Sequence, residues 1–277
     1  MRKLLIAFQF LTILPVKISE HISEYDIAGS SMFFPVVGAF QGAVAVLLAA
    51  LLRDVFCGDV ACHATVEIIS VLVIMILIIT NKGLHFDGLA DTFDALGVAP
   101  TGTITSDIEK RLSAMKDSRI GSIGAIGIVF TILIKFVLLN ALFLTVPWGT
   151  VYLLLFIMPV FSKWAMVPAL YYGTSARQEG IGRIFIDYAT LAHLIASTVL
   201  AMGLAGVALY TYSIFDDSLL NRFLLFFVLF LILYGFSIVS MRLSKKRFGG
   251  ITGDILGAIS ELSEVVFLMV VVLWLNH

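Results

Sequence analysis

Apolar residues fill long unbroken stretches of this chain, and polar residues gather in the short segments between them. Runs of roughly twenty apolar residues occupy positions 31–52, 64–80, 121–146, 149–172, 189–212, 222–241 and 256–275. Wound as helices, such runs match a hydrocarbon layer about 30 Å thick. They are apolar on every side, which is the mark of a helix in lipid or in a large core. The pattern predicts an all-α fold, a polytopic integral membrane helical bundle of about seven transmembrane helices. The second run is short, and its helix is free to continue into the polar segment behind it. Residues 4–16 are apolar but too few to span, and no small-residue cleavage site follows. That stretch reads as a short N-terminal interfacial or re-entrant helix rather than a secretory signal. No internal repeat, linker or soluble appendage is visible, so residues 1–277 are expected to form a single membrane-embedded domain.

Composition agrees. The chain is 60% hydrophobic and 13% charged, against about a quarter charged in a soluble domain. The formal net charge of −1 is uninformative about partners, but the placement of the cations is not. Arg2, Lys3, Lys17, Lys82, Lys110, Arg111, Lys116, Arg119, Arg177, Arg183, Arg242, Lys245, Lys246 and Arg247 fall on one side of the expected bundle. Arg53 and Arg222 fall on the other, while Lys135 and Lys163 lie inside spans. The excess of cations makes the first side cytoplasmic and turns the C-terminus outward. Cys57 and Cys62 then share one outer loop. They are either a disulfide in an oxidising compartment or two unrelated thiols, and lack the second ligand pair of a zinc site.

Three polar segments carry candidate chemistry, all on the cytoplasmic side. In the first, Asn81 to Asp94, Asp87, Asp91 and Asp94 recur at i, i+4 and i+7, which places them on one helix face. Grouped carboxylates at a membrane boundary repel one another unless a cation joins them. Mg²⁺ is the natural candidate, a hard ion that takes carboxylate and phosphate oxygens together. Lys82 and His85 stand beside them, and Gly83 and Gly88 allow a phosphate close to the backbone. His85 reads equally as a general base, as a partner of the ligands, or as an ordinary interfacial histidine.

The second segment, Lys110 to Gly127, sets Lys116, Asp117, Ser118 and Arg119 ahead of Gly121, Gly124 and Gly127 at the mouth of a span. A helix start with small residues binds anions, and cations reinforce it. The glycines read better as a helix-packing seam, whereas Lys116 to Arg119 read as functional. The third, Phe248 to Glu264, carries Asp254 and Glu261 seven residues apart on one helix face, with Glu264 near them. Glutamates inside an apolar span require a cation, a metal or a polar cavity, while Asp254 is open to a plain N-cap role. Arg177, Glu179 and Arg183 form a loop able to hold phosphate, alongside Gly180 and Gly182. His21, His63, His193 and His277 show no ligand spacing. No P-loop and no G-x-G-x-x-G behind a strand occurs, which excludes a soluble-type nucleotide fold. Nothing points to nucleic acid.

These motifs together resemble those of the cobalamin synthase (adenosylcobinamide-GDP ribazoletransferase) family of membrane enzymes. The similarity covers nearly the whole chain: Phe8 to Val16, Phe34 to Gly38, Gly83 to Thr92, Met115 to Gly121 and Thr252 to Asp254. One departure is Ala95, where the family usually carries glycine after the aspartate. The resemblance implies that adenosylcobinamide-GDP passes its phosphoryl-cobinamide portion to a ribose hydroxyl of α-ribazole or its 5′-phosphate, releasing GMP. It implies Mg²⁺ held by Asp87, Asp91 and Asp94 against the diphosphate. Lys116 and Arg119 would stabilise the departing GMP or the non-bridging oxygens, and His85 or an aspartate would take the hydroxyl proton. Lys82, Asp117, Ser118, Arg177, Arg183, Asp254 and Glu261 would bind substrate, with a second metal open to Asp254 and Glu261. Partners are then these small molecules and membrane lipid, with a homo-oligomer left open. The location is a bacterial or archaeal cytoplasmic membrane, with the site on the cytoplasmic face. Two rivals stand beside it. A CDP-alcohol phosphatidyltransferase-like enzyme shares the metal logic but needs a fuller Asp-rich pattern. An ion-coupled transporter would use Glu261, Glu264, Lys135 and Lys163.

Overall fold

A computed structural model describes residues 1–18, 22–56, 63–213 and 219–275. Cys57 and Cys62 lie outside the described residues. Among those described, the regular elements are helices, and six are long and apolar enough to cross a membrane, or seven if one bent pair counts as a span.

The bundle is built around α8 (Trp148–Tyr172), whose middle is almost entirely buried. Packed on it are α3 (Phe34–Phe56), α10 (Leu191–Ser213), α11 (Leu219–Phe248) and α12 (Gly253–Leu275). The approach of α3 is set by Gly38 and Gly42, four apart. A Cβ on either would collide with the α8 backbone at Pro159 and Phe156. Without a hydrophobic drive between helices in lipid, such close backbone contact supplies the packing energy. α7 (Ser122–Thr145), α10 and α11 turn large apolar side chains outward, among them Phe130, Val137, Val199 and Phe227. This is the surface expected of helices facing lipid.

The ends of the apolar runs differ from the sequence expectation in two places. α11 continues beyond residue 241 to Phe248, carrying its exposed basic residues Arg242, Lys245, Lys246 and Arg247 out of the apolar layer. More important, α4 (His63–Thr80) does not run on into the aspartate segment. It stops, and α5 (Leu84–Leu96) leaves at 90°. Lys82 N–H returns to the Ile79 carbonyl at 3.0 Å, and Gly83 N–H to Ile78 at 2.9 Å. This is a Schellman ending, which requires a left-handed residue just past the helix. Lys82 supplies it at φ 58° and Gly83 follows at φ 70°, and no right-handed helix passes through such angles.

The N-terminal α1 (Arg2–Leu11) is too short to span, as expected. It buries Ile6, Ala7 and Leu11, and the following Ile13 N–H bonds the Thr80 carbonyl at 2.8 Å. α2 (Glu24–Ser30) starts on Ser23, whose hydroxyl accepts from Asp26 N–H. Two more short helices, the polar α6 (Ile104–Ala114) and α9 (Ile181–Asp187), complete the same end of the bundle.

Candidate active site

The break after α4 aims the start of α5 into the end of the bundle, and a pocket of about 820 Å³ opens there. Asp87 and Asp91, one helical turn apart, line it together with Lys82, Lys116, Asp117 and Ser118. The sequence face at 87 and 91 therefore survives in three dimensions. Lys82 enters through backbone strain: a lysine occupies the left-handed position where helices ordinarily end on glycine, and it lines the same pocket as the carboxylates.

Asp254 joins them from α12. Gly88 makes this possible, since a Cβ there would stand 2.6 Å from the Asp254 carbonyl oxygen. Asp91 lies in the field of Asp254, Asp87 and Asp94, opposed by Arg177. Arg177, from the loop after α8, reaches Asp254 at 3.0 Å. That loop is pinned by a short bridge: Ile251 N–H donates to Thr174 O at 2.8 Å and Ala176 N–H to Ile251 O at 3.0 Å. The cap of α12 is Thr252, whose hydroxyl accepts from Ile255 N–H at 3.3 Å. Asp254 is consequently not the capping group.

The structure does not bring Asp94 to the other two aspartates' pocket. Its carboxylate accepts from Gly121 N–H and Gly124 N–H, each at 2.7 Å, at the head of α7. The glycines form the expected seam, with Gly127 over the Phe93 ring. Their helix start also holds an anion, and that anion is Asp94 itself.

Arg119 does not line the pocket either. It is highly exposed and folds back on Asp117, Nε to Oδ1 at 3.1 Å and a terminal nitrogen to Oδ2 at 2.9 Å. Hydrogen bonding from Arg119 holds the Asp117 carboxyl well below the usual carboxylate range. Arg183 pairs with Asp187 at 2.7 Å and donates to the Gln178 carbonyl, in a separate depression beside Glu24 and Tyr188.

His85 and Glu261 lie behind the pocket. Glu261 is sealed in the bundle, where Lys135 of α7 reaches it at 2.5 Å and Glu264 at 2.7 Å. Lys163 of α8 stands 3.5 Å from Glu264 and donates to Ser260 at 2.9 Å, and Ser162 donates to Glu264 at 3.1 Å. Two lysines thus neutralise two glutamates. Glu261 shares its helix with Asp254, yet it lies two turns further along α12, in the interior. The charges on which a transporter reading would rely are spent on one another. His85, 1% exposed, turns Nδ1 toward Asn81 and Glu261.

Sequence reasoning missed Gln9 and Phe10 of α1 as pocket residues. Gln9 Oε1 is buried with no hydrogen-bond partner among the described residues. The Phe8-Gln9-Phe10 motif was visible, but a polar residue in an apolar N-terminal run was the sole local signal. As for a metal, no three His, Cys, Asp or Glu side chains among the described residues converge to cage one unaided. Mg²⁺ does not require it, because it is commonly held by one or two carboxylates together with substrate phosphates. Asp87 and Asp91 fit that role.

A bundle of apolar helices with a charged, open pocket at one end defines a multi-pass membrane protein with an enzyme-like site. The chain belongs to the cobalamin-5-phosphate synthase family, whose model matches residues 3–272. It is 34% identical to the adenosylcobinamide-GDP ribazoletransferase of Thermodesulfovibrio yellowstonii, over 99% of both chains. Proteins of the same name from Fusobacterium nucleatum and Caldanaerobacter subterraneus are 30% and 29% identical. The first alignment covers 97% of this chain and 96% of the relative, the second 96% of each. No solved structure matches this chain.

Proposed function

We propose that this protein is an adenosylcobinamide-GDP ribazoletransferase that works at the cytoplasmic face of the cell membrane with Mg²⁺. The observation that carries the reading is the convergence of Asp87 and Asp91 with Lys82 and Lys116 in one pocket. Both relatives and residues point to transfer at a phosphate anhydride, chemistry that needs positioning and charge neutralisation more than covalent help.

A ribose hydroxyl of α-ribazole, or of its 5′-phosphate, forms a bond to the phosphorus on the cobinamide side. The anhydride bond breaks, and GMP leaves with the electron pair. Mg²⁺ supplies charge neutralisation at the diphosphate when bound. Asp87 and Asp91 hold it, while Lys82 and Lys116 bind the non-bridging oxygens and the leaving phosphate. Asp254, oriented by Arg177 beside these groups, accepts the hydroxyl proton. Ser118 and Asp117 border the donor side of the pocket.

GMP release by the purified protein in detergent tests this, given adenosylcobinamide-GDP and α-ribazole 5′-phosphate. Release is expected to require the acceptor, to stop with EDTA, to return with Mg²⁺, and to fail in Asp91→Asn. No release from folded protein would sink the transferase reading. Release that persists unchanged in EDTA would remove the metal.

A further inference from the structure

The polar helix α6 buries one residue, and that residue is an arginine. Arg111 is 6% exposed. A buried guanidinium ordinarily pairs with a carboxylate, but among the described residues its hydrogen-bond partner is a backbone carbonyl. A terminal nitrogen donates to the Arg247 carbonyl at 3.1 Å. Arg247 belongs to the last turn of α11, where orphan carbonyls and the negative end of the helix dipole attract a cation. Ile108 and Met115, three residues before and four after Arg111, share its face of the helix. Ile108 meets the residue just past α11: a Cβ on Gly249 would stand 3.5 Å from Ile108 Cγ2. Met115 is buried, and its sulfur accepts from the Thr252 hydroxyl at 3.9 Å. One face of α6 is thus docked on the turn between α11 and α12.

That turn serves both sides of the site. Ile251 pins the loop that carries Arg177, and Thr252 caps the helix that carries Asp254. On the other side, α6 runs straight into the pocket wall, which Met115, Lys116, Asp117 and Ser118 line. Lys116 N–H and Asp117 N–H return to the Ser113 and Ala114 carbonyls at 3.0 and 3.1 Å, so this stretch leaves α6 as a tight turn. The position of Lys116 therefore follows the position of α6. Further along, the head of α7 is held by a different contact, through Asp94.

We propose that Arg111 is a positioning residue: bonded to the end of α11, it anchors α6 so that Lys116 stays in place for the donor's phosphates. The inference rests on the transferase reading, in which Lys116 binds those phosphates. Arg111 touches no substrate. Its effect passes through the docked face of α6, and it registers Lys116 on the same turn that sets Arg177 and Asp254. A placement error of about 1 Å in such a group is costly to phosphoryl transfer, which depends on positioning.

The test measures KM for adenosylcobinamide-GDP and for α-ribazole 5′-phosphate by GMP release from purified protein in detergent, with the unfolding midpoint alongside. Arg111→Met should raise the donor KM about tenfold and leave the acceptor KM unchanged. Lys116→Met should do the same. The double variant should be little worse than Lys116→Met alone, because one residue acts through the other. A single guanidinium nitrogen makes the bond, so Arg111→Lys keeps a donor and should stay within about threefold of wild type. Three results would each overturn the proposal: an unchanged donor KM in folded Arg111→Met, equal rises for donor and acceptor, or losses that multiply in full in the double variant. Should Arg111→Met fail to fold, Ile108→Ala loosens the same face and is read in the same cycle against the same outcomes. Wild-type GMP release that these variants leave unaltered removes the positioning role alone. No release from folded wild type removes the transferase reading and this role with it.

Discussion

Arg177 holds Asp254 at 3.0 Å across the junction between the loop after α8 and the first turn of α12. Each is half-buried, and Asp254 faces further negative charge from Asp87. Arg177→Met is expected to lower kcat/KM for GMP release by roughly 100-fold, with an unchanged unfolding midpoint. Because the two residues act as a pair, adding Asp254→Asn should cost much less than it does alone. Additive losses would show that they act separately.

Asp94 and Asp91 should part company when substituted. Asp94→Ala leaves the head of α7 without its anion. Loss of a cap of this kind costs about 1–2 kcal/mol, so thermal unfolding in detergent should fall by several degrees. The Mg²⁺ concentration for half-maximal activity should not move. Asp91→Asn is expected to do the reverse: little change in unfolding, and loss of Mg²⁺-stimulated GMP release.

Lys82 couples strain to charge. Lys82→Gly relieves a left-handed conformation worth about 1 kcal/mol at the end of α4. The variant should unfold at a higher temperature. It should also raise KM for adenosylcobinamide-GDP by about tenfold, through loss of a cation beside phosphate. Gain of stability with unaltered KM would place Lys82 outside donor binding.

Lys135 neutralises Glu261 and Glu264 in the interior. Lys135→Met leaves those carboxylates short of a cation, a change that costs about 3–5 kcal/mol in buried pairs. A lower unfolding midpoint and a poor yield of folded protein are expected. Adding Glu261→Gln should recover part of the loss, because one uncompensated charge is removed. Failure of that rescue would mean that the cluster is not held by charge balance.

Much of this was legible in the chain. Apolar runs set the helices, and the i, i+4 relation of Asp87 and Asp91 is a local property that any α5 must keep. That glutamates at 261 and 264 needed partners was equally plain, since lipid offers none. The identities of the partners were not, because Lys135 and Lys163 belong to other helices far away in sequence. Asp94 shows the limit best. Its spacing matches Asp87 and Asp91, yet the glycine seam of α7 brings backbone amides within reach and captures it.

The sequence by itself determined that the chain is a bundle of membrane-spanning helices and gathered its polar motifs into a few segments, because helix length, hydropathy and side-chain period are local. The tertiary structure decided which of those polar groups share a pocket. It turned α5 by 90° at Lys82 and Gly83, and Gly88 let Asp254 approach Asp91. It also buried His85 against Asn81 and Glu261 rather than in the pocket of Asp87 and Asp91. Each of these outcomes depends on how closely two backbones can approach, and that distance is set by the residues of both partners at once.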